Sequence, residues 1–416
     1  MPHQILVTVR APLKPGRGPE TAHLLEALRK TVEHDGGPLA QLPGVHFARV
    51  FVLPGDDELD ITDSLVYLGE IDAPQHRHLR ALAADGELGA LFAQCVGYPE
   101  GGSRRAAARW VRQHQVRVAA RYVHTVGRSV DQVRDEARLR AEIETFLDDP
   151  AHLPVGGSPA EVHDAVRRFV AGRPDLAWAL RPAAGPGLAF RARELLHAVA
   201  WPALLLPLAP VLLPAAVLGF LAIRRRESRD VPETERPTSA HVATITRGED
   251  HGTVNPFTAY GQVKAGLLRR TTIVVALRGL DYAARHWYSR DNLAGVRSIH
   301  FARWVLLDGG RRVIFASDYD GSQESYMDDF IDRIAWGVNL VFSNGRGYPP
   351  TRWLIKDGAR YEELYKRYLR RHQLPSVWFA ACGDLSARNL DDNAALRAGL
   401  AGELTDEEAR TWLALL

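Results

Sequence analysis

One pattern occurs twice in this chain, in the same order. VHFARVFVL at Val45 to Leu53 returns as IHFARWVLL at Ile299 to Leu307. GYP at Gly97 to Pro99 returns at Gly347 to Pro349, and the two offsets agree closely, 254 (300 minus 46) and 250 (347 minus 97). A third block, Gly127 to Ala141, resembles Gly383 to Ala398, with Leu-Arg-Ala near the end of both. Three matches in one order indicate an ancient duplication, so the chain is expected to fold as one unit built twice. A length of 416 residues, against roughly 150 for a common domain, leads to the same division.

Between the copies lies a stretch without a charge, Ala198 to Ile223, 26 residues long (223 minus 198 plus 1). That exceeds the roughly 20 residues a membrane-core helix needs, but falls short of two full spans. Arg191 and Arg193 precede it and Arg224, Arg225 and Arg226 follow it, which fits poorly with a simple crossing oriented by positive charge. Pro202, Pro207, Pro210 and Pro214 break its helical potential. If the two copies pack on each other, both flanks lie on one side of the bilayer. The expectation is a shallow hairpin dipping into the cytoplasmic leaflet, with Trp201 at the interface; a true crossing and a buried soluble hairpin are the alternatives.

Composition narrows the classes. Lys plus Arg total 52 against 50 acidic residues, so no global field recruits nucleic acid. Hydrophobic residues at 46% and charged residues at 25% fit a folded chain rather than a disordered one. Cys95 and Cys382 fall at non-equivalent places and form no metal-like spacing, which points to a reducing compartment and packing roles. MPHQILVTVR lacks the pattern of a secretory signal, so a cytoplasmic start is expected.

Each copy reads as an α+β unit. In the first, Gln4 to Val9, Val45 to Leu53, Asp63 to Glu70 and Val116 to His124 have strand character, while Thr21 to Val32, His76 to Gln94 and Val130 to Leu147 have helical spacing. In the second, strands are expected at Phe257 to Val263, Ser298 to Leu307, Arg311 to Ser317 and Ser376 to Ala381. Helices are expected at Ile273 to Tyr288, Tyr326 to Phe342 and Leu385 to Leu400, with a hairpin turn at Asp308-Gly309-Gly310. The order is the ferredoxin-like βαββαβ arrangement with an appended helix. The expected domains are residues 1–150, a helical linker at 151–190, the apolar segment at 191–229 and a second repeat at 237–416.

Two such repeats in one chain resemble the dimeric α/β-barrel superfamily, with the dimer fused into one polypeptide. That resemblance implies an intrachain barrel, on which the superfamily carries haem enzymes, cofactor-free oxygenases and non-enzymatic sensors, so it narrows function little. The HFARW and YDGS blocks also resemble a family of uncharacterised bacterial proteins, which implies no activity.

The densest block of reactive groups runs from Ile299 to Glu324. On an unbroken strand His300 and Trp304 would face one way and Arg303 the other, as would His46 and Arg49 in the first copy. His300 is a candidate metal ligand or proton carrier, against a histidine packed between sheet and helix. Arg303 is a candidate carboxylate or propionate binder, against a salt bridge to the neighbouring acidic helix. Asp320 or Ser322 suits the cap of the following helix.

A second constellation, Gly248-Glu249-Asp250-His251-Gly252-Thr253-Val254-Asn255-Pro256, is similar to the GxxDGTxNP signature of dye-decolourising peroxidases, with His251 in place of the aspartate. The resemblance implies a distal haem segment with His251 as the acid or base, and a proximal histidine for which His286 and His300 are available. No nucleophile elbow, phosphate loop or zinc helix motif is present. The sequence thus supports a membrane-associated oxidoreductase, haem-dependent or cofactor-free, acting on an apolar or amphipathic substrate. Its catalytic candidates are His251, His300 and Asp320; its binding candidates are Arg303, Trp304, Tyr319 and Asn255. The alternative is a non-enzymatic lipid-surface or small-molecule binding protein. The GTVNP turn, Asp320-Gly321 and Glu324 belong to the second copy alone, so an active site is expected there.

Overall fold

The computed structural model describes residues 4–182, 185, 187–288 and 293–416 of the chain. Its strands are β1 (Gln4–Pro12), β2 (Val45–Leu53), β3 (Ser64–Asp72), β4 (Ala120–Val123), β5 (Val254–Gln262), β6 (Ile299–Leu307), β7 (Arg312–Asp320), the short pair β8 (Thr351–Arg352) and β9 (Lys356–Asp357), and β10 (Val377–Ala380). They form two four-stranded antiparallel sheets, ordered β1-β3-β2-β10 and β4-β6-β7-β5.

The sheets correspond strand for strand, and each borrows one strand. β4 comes from the first half of the sequence yet pairs with β6, while β10 comes from the second half and pairs with β2. Exchange of this kind ties the halves into one body. It also corrects the expected closed barrel. Just before crossing over, the chain touches the free edges of β1 and β5 only through the isolated bridges Val9–Gln115 and Ala259–Gln373. Those contacts are too short to close the ring, and the strand expected over Val116 to His124 is ordered as a ladder only at Ala120–Val123.

β2 and β6 have the same burial pattern, with every residue but the eighth inaccessible to water, as expected where both faces of a sheet are covered. Between the sheets, Phe51, Leu53, Val66 and Leu68 meet Val305, Leu307, Ile314 and Ala316. At one end Leu6, Phe47, Val254 and Phe301 form a smaller cluster. The outer faces are covered by helices: Val7, Val50, Tyr67, Leu79 and Leu91 belong to the first of these cores, and Trp304, Phe315, Tyr319, Tyr326 and Val338 to the second.

Several elements are more broken than their periodicity suggests. His76 to Gln94 divides into Gln75–Ala84 and Gly86–Phe92, because the Asp85 side chain accepts from Leu88 N and caps a new helix. Tyr326 to Phe342 likewise divides into Gln323–Arg333 and Ala335–Phe342. The linker at 151–190 contains the helix Pro159–Gly172, which packs with Val130–Leu147, Ala387–Gly399 and Asp406–Leu413 around Leu139, Val166, Leu396 and Trp412.

The apolar segment forms two helical arms, Leu188–Leu205 and Ala209–Glu227, bent by 82° at the Leu206-Pro207-Leu208 break. Pro207 offers no amide donor, and past it the backbone bonds tighten to Leu208 N–Leu205 O and Ala209 N–Leu206 O, both 3.1 Å. The arms meet the body away from the bend. Tyr282 Oη donates to Ala198 O at 2.8 Å, and Phe220 stacks on Trp353 at 5.1 Å between ring centres. Leucines around the bend face solvent. Leu206 is 75% exposed, Val211 72% and Leu218 67%, too much for a soluble core hairpin. No single helix among the described residues is long and apolar enough to cross a membrane.

Candidate functional site

The most concentrated polar chemistry lies between the sheets, and it occurs twice. Arg303 on β6 crosses to β3 and β1, where Nε donates to Glu70 Oε1 at 3.1 Å, Nη2 to Glu70 and to Gly69 O at 3.0 Å, and Nη1 to Thr8 Oγ1 at 3.1 Å. Arg49 on β2 makes the reciprocal set: Asp318 and Ser317 O at 3.1 Å on β7, Thr258 Oγ1 at 2.9 Å and Phe257 O at 2.8 Å on β5. All four charged side chains are essentially inaccessible, between 0% and 2% exposed. The guanidinium fork satisfies several acceptors at once, which lowers the cost of placing these charges in a dry interior. Burial pushes the Asp318 carboxyl up to about 7 against the pull of the Arg49 guanidinium, with Glu70 adding a like charge nearby. Trp378 Nε1 also donates to Asp318, at 2.8 Å.

The expected salt bridge from Arg303 to its neighbouring acidic helix is therefore replaced by one to the opposite sheet. The expected separation of His300 from Arg303 also fails. β6 is bulged between Ile299 and Phe301, and β2 between Val45 and Phe47. The additional residue at each bulge, His300 or His46, breaks the alternation on which the separation rested. His300 lies edge-on to Phe47 of the other sheet at 5.6 Å, and His46 approaches Phe301 at the same distance. Both histidines thus lie on the same sheet face as the arginines.

His300 Nε2 is 2.6 Å from Asp320 Oδ1, and Asp320 Oδ2 accepts from Ala387 N at the start of the helix Ala387–Gly399. The first half repeats this: His46 Nε2 is 3.0 Å from Asp72 Oδ1, while Asp72 Oδ2 accepts from Val130 N. Each aspartate orients a histidine with one oxygen and holds a helix N-terminus with the other, a favourable place for negative charge. Asp320 therefore does not cap the helix Gln323–Arg333. Ser322 does, accepting from Ser325 N, and Asp250 Oδ1 accepts from Gln323 N at 2.9 Å. Duplication of the His–Asp pair removes the expectation that this chemistry belongs to the second copy alone. What the second end does add is His124, whose ring lies 6.5 Å from His300 and whose Nε2 is 2.9 Å from Asp391 Oδ2.

The remaining candidates do not converge. Trp304 and Tyr319 face the helices, where Trp304 packs on Phe315 and Tyr319 stacks on Tyr326 at 3.9 Å. Asn255 Nδ2 ties its own turn together by donating to Gly252 O and Gly321 O at 3.0 and 2.9 Å. His251 is exposed, with Nε2 2.7 Å from Arg247 O. His286 lies 2.9 Å from His197 on the first apolar arm.

A haem fits this arrangement poorly. The Nε2 atom expected to bind iron is held by Asp320, His300 is 2% exposed, and Phe47 and Phe301 fill the space on its sheet face. Comparison with protein-family models, with curated proteins and with solved structures finds no match for this chain.

Of the partners that neutralise the buried arginines, Asp318 lies in the dense block read from Ile299 to Glu324 but was given no role, and Glu70 was not singled out. A signal for them exists in the repeat. They are separated by 248 (318 minus 70), the same offset as Asp72 and Asp320.

Proposed function

We propose that the protein is a membrane-surface binding protein, non-enzymatic in its core, whose bent apolar arms insert into one leaflet while the two-sheet body stands on the cytoplasmic face. The observation that carries this reading is the exposure of the leucine-rich arms beside a body whose own interior is filled. At about 1.5 Å per residue, the charge-free limb from Ala198 to Leu205 is about 12 Å long and that from Ala209 to Ile223 about 22 Å. Both fall short of a hydrocarbon core of about 30 Å, as a dip into one leaflet requires. Arginines flank both limbs, which favours keeping both on the cytoplasmic side. The exchanged strands β4 and β10 support the same topology, since halves that share sheets occupy one side.

We further read the paired sheets as an internal duplication of a ferredoxin-like unit, on the matched bulges, the reciprocal arginines and the reciprocal His–Asp pairs. The oxidoreductase reading is the weaker of the two, since His300 is 2% exposed and Phe47 packs against its ring. Flotation of the full chain through a density gradient with phospholipid vesicles tests the proposal. The wild-type chain is expected to float, and the variant Leu206→Arg/Leu208→Arg/Leu212→Arg to remain at the bottom while keeping its thermal unfolding midpoint. Flotation of both alike would remove the reading.

A further inference from the structure

The three-residue turn between β8 and β9, Trp353-Leu354-Ile355, is built against its own sequence. Trp353 and Leu354 have φ values of 56° and 61°, the left-handed region that consecutive turn positions of this kind normally fill with Asn and Gly. A bulky pair there persists only where the surroundings over-determine it. The surroundings here are one buried carboxylate. Glu227, the last residue of the second apolar arm, accepts from Trp353 N at 2.9 Å with Oε2, and from Leu354 N at 2.7 Å and Thr351 Oγ1 at 2.9 Å with Oε1. The arm therefore holds the turn in place. It holds it with Trp353 stacked on Phe220 and beneath the Arg224 guanidinium, 5.7 Å from the ring centre.

What the turn presents is an apolar tip in a basic setting. Trp353 and Ile355 are exposed, Lys356 and Arg360 flank them in solvent, and Arg225, Arg226 and Arg229 are exposed at the end of the arm. Among the described residues no carboxylate lies within ion-pair distance of Arg225, Arg226 or Arg229. The nearby acids are already engaged: Glu227 by the turn and Arg224, Asp230 by Lys264 and Arg269, and Asp357 by Arg352. An indole at the boundary, an aliphatic tip and unneutralised arginines are the groups that suit the headgroup layer of an anionic bilayer.

We infer that Trp353, Ile355, Lys356 and the Arg225, Arg226 and Arg229 cluster form a second membrane contact, a docking surface for anionic phospholipid headgroups, positioned by Glu227. The inference rests on the anchor reading above and adds lipid selectivity to it. Phe220 fixes the depth. It lies one helical turn from the end of the charge-free limb, so the indole stacked on it sits at headgroup level. A protein partner would have no reason to meet a tip continuous with a lipid-inserting arm, and the lone pairs of phosphate oxygens match the free guanidinium donors.

Flotation of the full-length chain with vesicles of phosphatidylcholine alone, and of phosphatidylcholine mixed with phosphatidylglycerol, tests it. Wild type is expected to need on the order of tenfold to a hundredfold less anionic lipid for half-maximal flotation, an advantage that fades at high salt. Arg225→Gln/Arg226→Gln/Lys356→Gln, all at exposed positions, is expected to lose that advantage while still floating on neutral vesicles. Trp353→Ala/Ile355→Ser is expected to weaken flotation on both. Equal flotation of wild type on the two vesicle types overturns the docking surface and leaves the anchor standing. Flotation on neither overturns both.

Discussion

Arg303 of the second sheet is hydrogen-bonded to the Glu70 carboxylate of the first, with neither side chain in contact with water. Its reciprocal, Arg49 with Asp318, lies on the same interface. Breaking one partner leaves a bare charge in a dry interior, so Glu70→Leu or Arg303→Met is expected to cost about 3–5 kcal/mol. The double variant Arg303→Met/Glu70→Leu is expected to recover most of that, because the lone charge is gone. Urea denaturation of the three variants and wild type checks this; strictly additive losses would contradict it.

His78 predicts an acid-sensitive step. It is buried against Tyr67, whose Oη lies 2.8 Å from His78 Nε2, and burial pushes the imidazole down to about 4. The unfolded chain then binds the proton first. Stability is present above the ordinary value of about 6.5 and is lost as pH falls toward 4, by on the order of 3 kcal/mol from this group. His78→Gln is expected to be less stable at neutral pH but flatter than wild type across that window. Parallel profiles in urea midpoint against pH would refute the assignment.

The His300–Asp320 and His46–Asp72 pairs are predicted to be equivalent. Asp320→Asn and Asp72→Asn each weaken a charge-assisted bond and a helix N-terminus, at about 1–3 kcal/mol apiece. Thermal unfolding should show losses of similar size. A stability-neutral Asp320→Asn beside a damaging Asp72→Asn would instead favour a dedicated site in the second half.

Glu227→Ala is expected to release the turn at Trp353 and Leu354, since three donors lose their acceptor. Hydrogen exchange at those two amides should rise sharply while exchange in β6 and β7 stays slow. Unchanged protection at Trp353 would mean that the turn is held by other contacts.

Much of this arrangement was legible in the chain. The matched HFAR blocks located β2 and β6, and Val130 to Leu147 is a helix over the same residues as its spacing indicated. The turn at Asp308-Gly309-Gly310 joins β6 to β7, with positive φ at all three positions. What failed depended on non-local pairing. Strict alternation put His300 and Arg303 on opposite faces, because a bulge leaves no mark in a single sequence. The partners of Arg49 and Arg303 went unnamed because which side chain stands opposite each arginine depends on the register between the two sheets. The charged helices Arg104–Gln113 and Glu362–His372 went unread, since their apolar faces are narrow and their arginines dominate the window. The GTVNP turn pointed to haem chemistry, whereas Asn255 serves to close the turn itself.

The most direct test of the central claim places a polarity-sensitive fluorophore at the bend. Leu206→Cys is labelled in a Cys95→Ser/Cys382→Ser background, and the labelled chain is mixed with vesicles whose acyl chains are brominated near the headgroup or near the bilayer centre. A dip into one leaflet predicts a blue shift on lipid addition and stronger quenching by one bromine depth than by lipid without bromine. Emission unchanged by any lipid would contradict membrane insertion of the apolar arms.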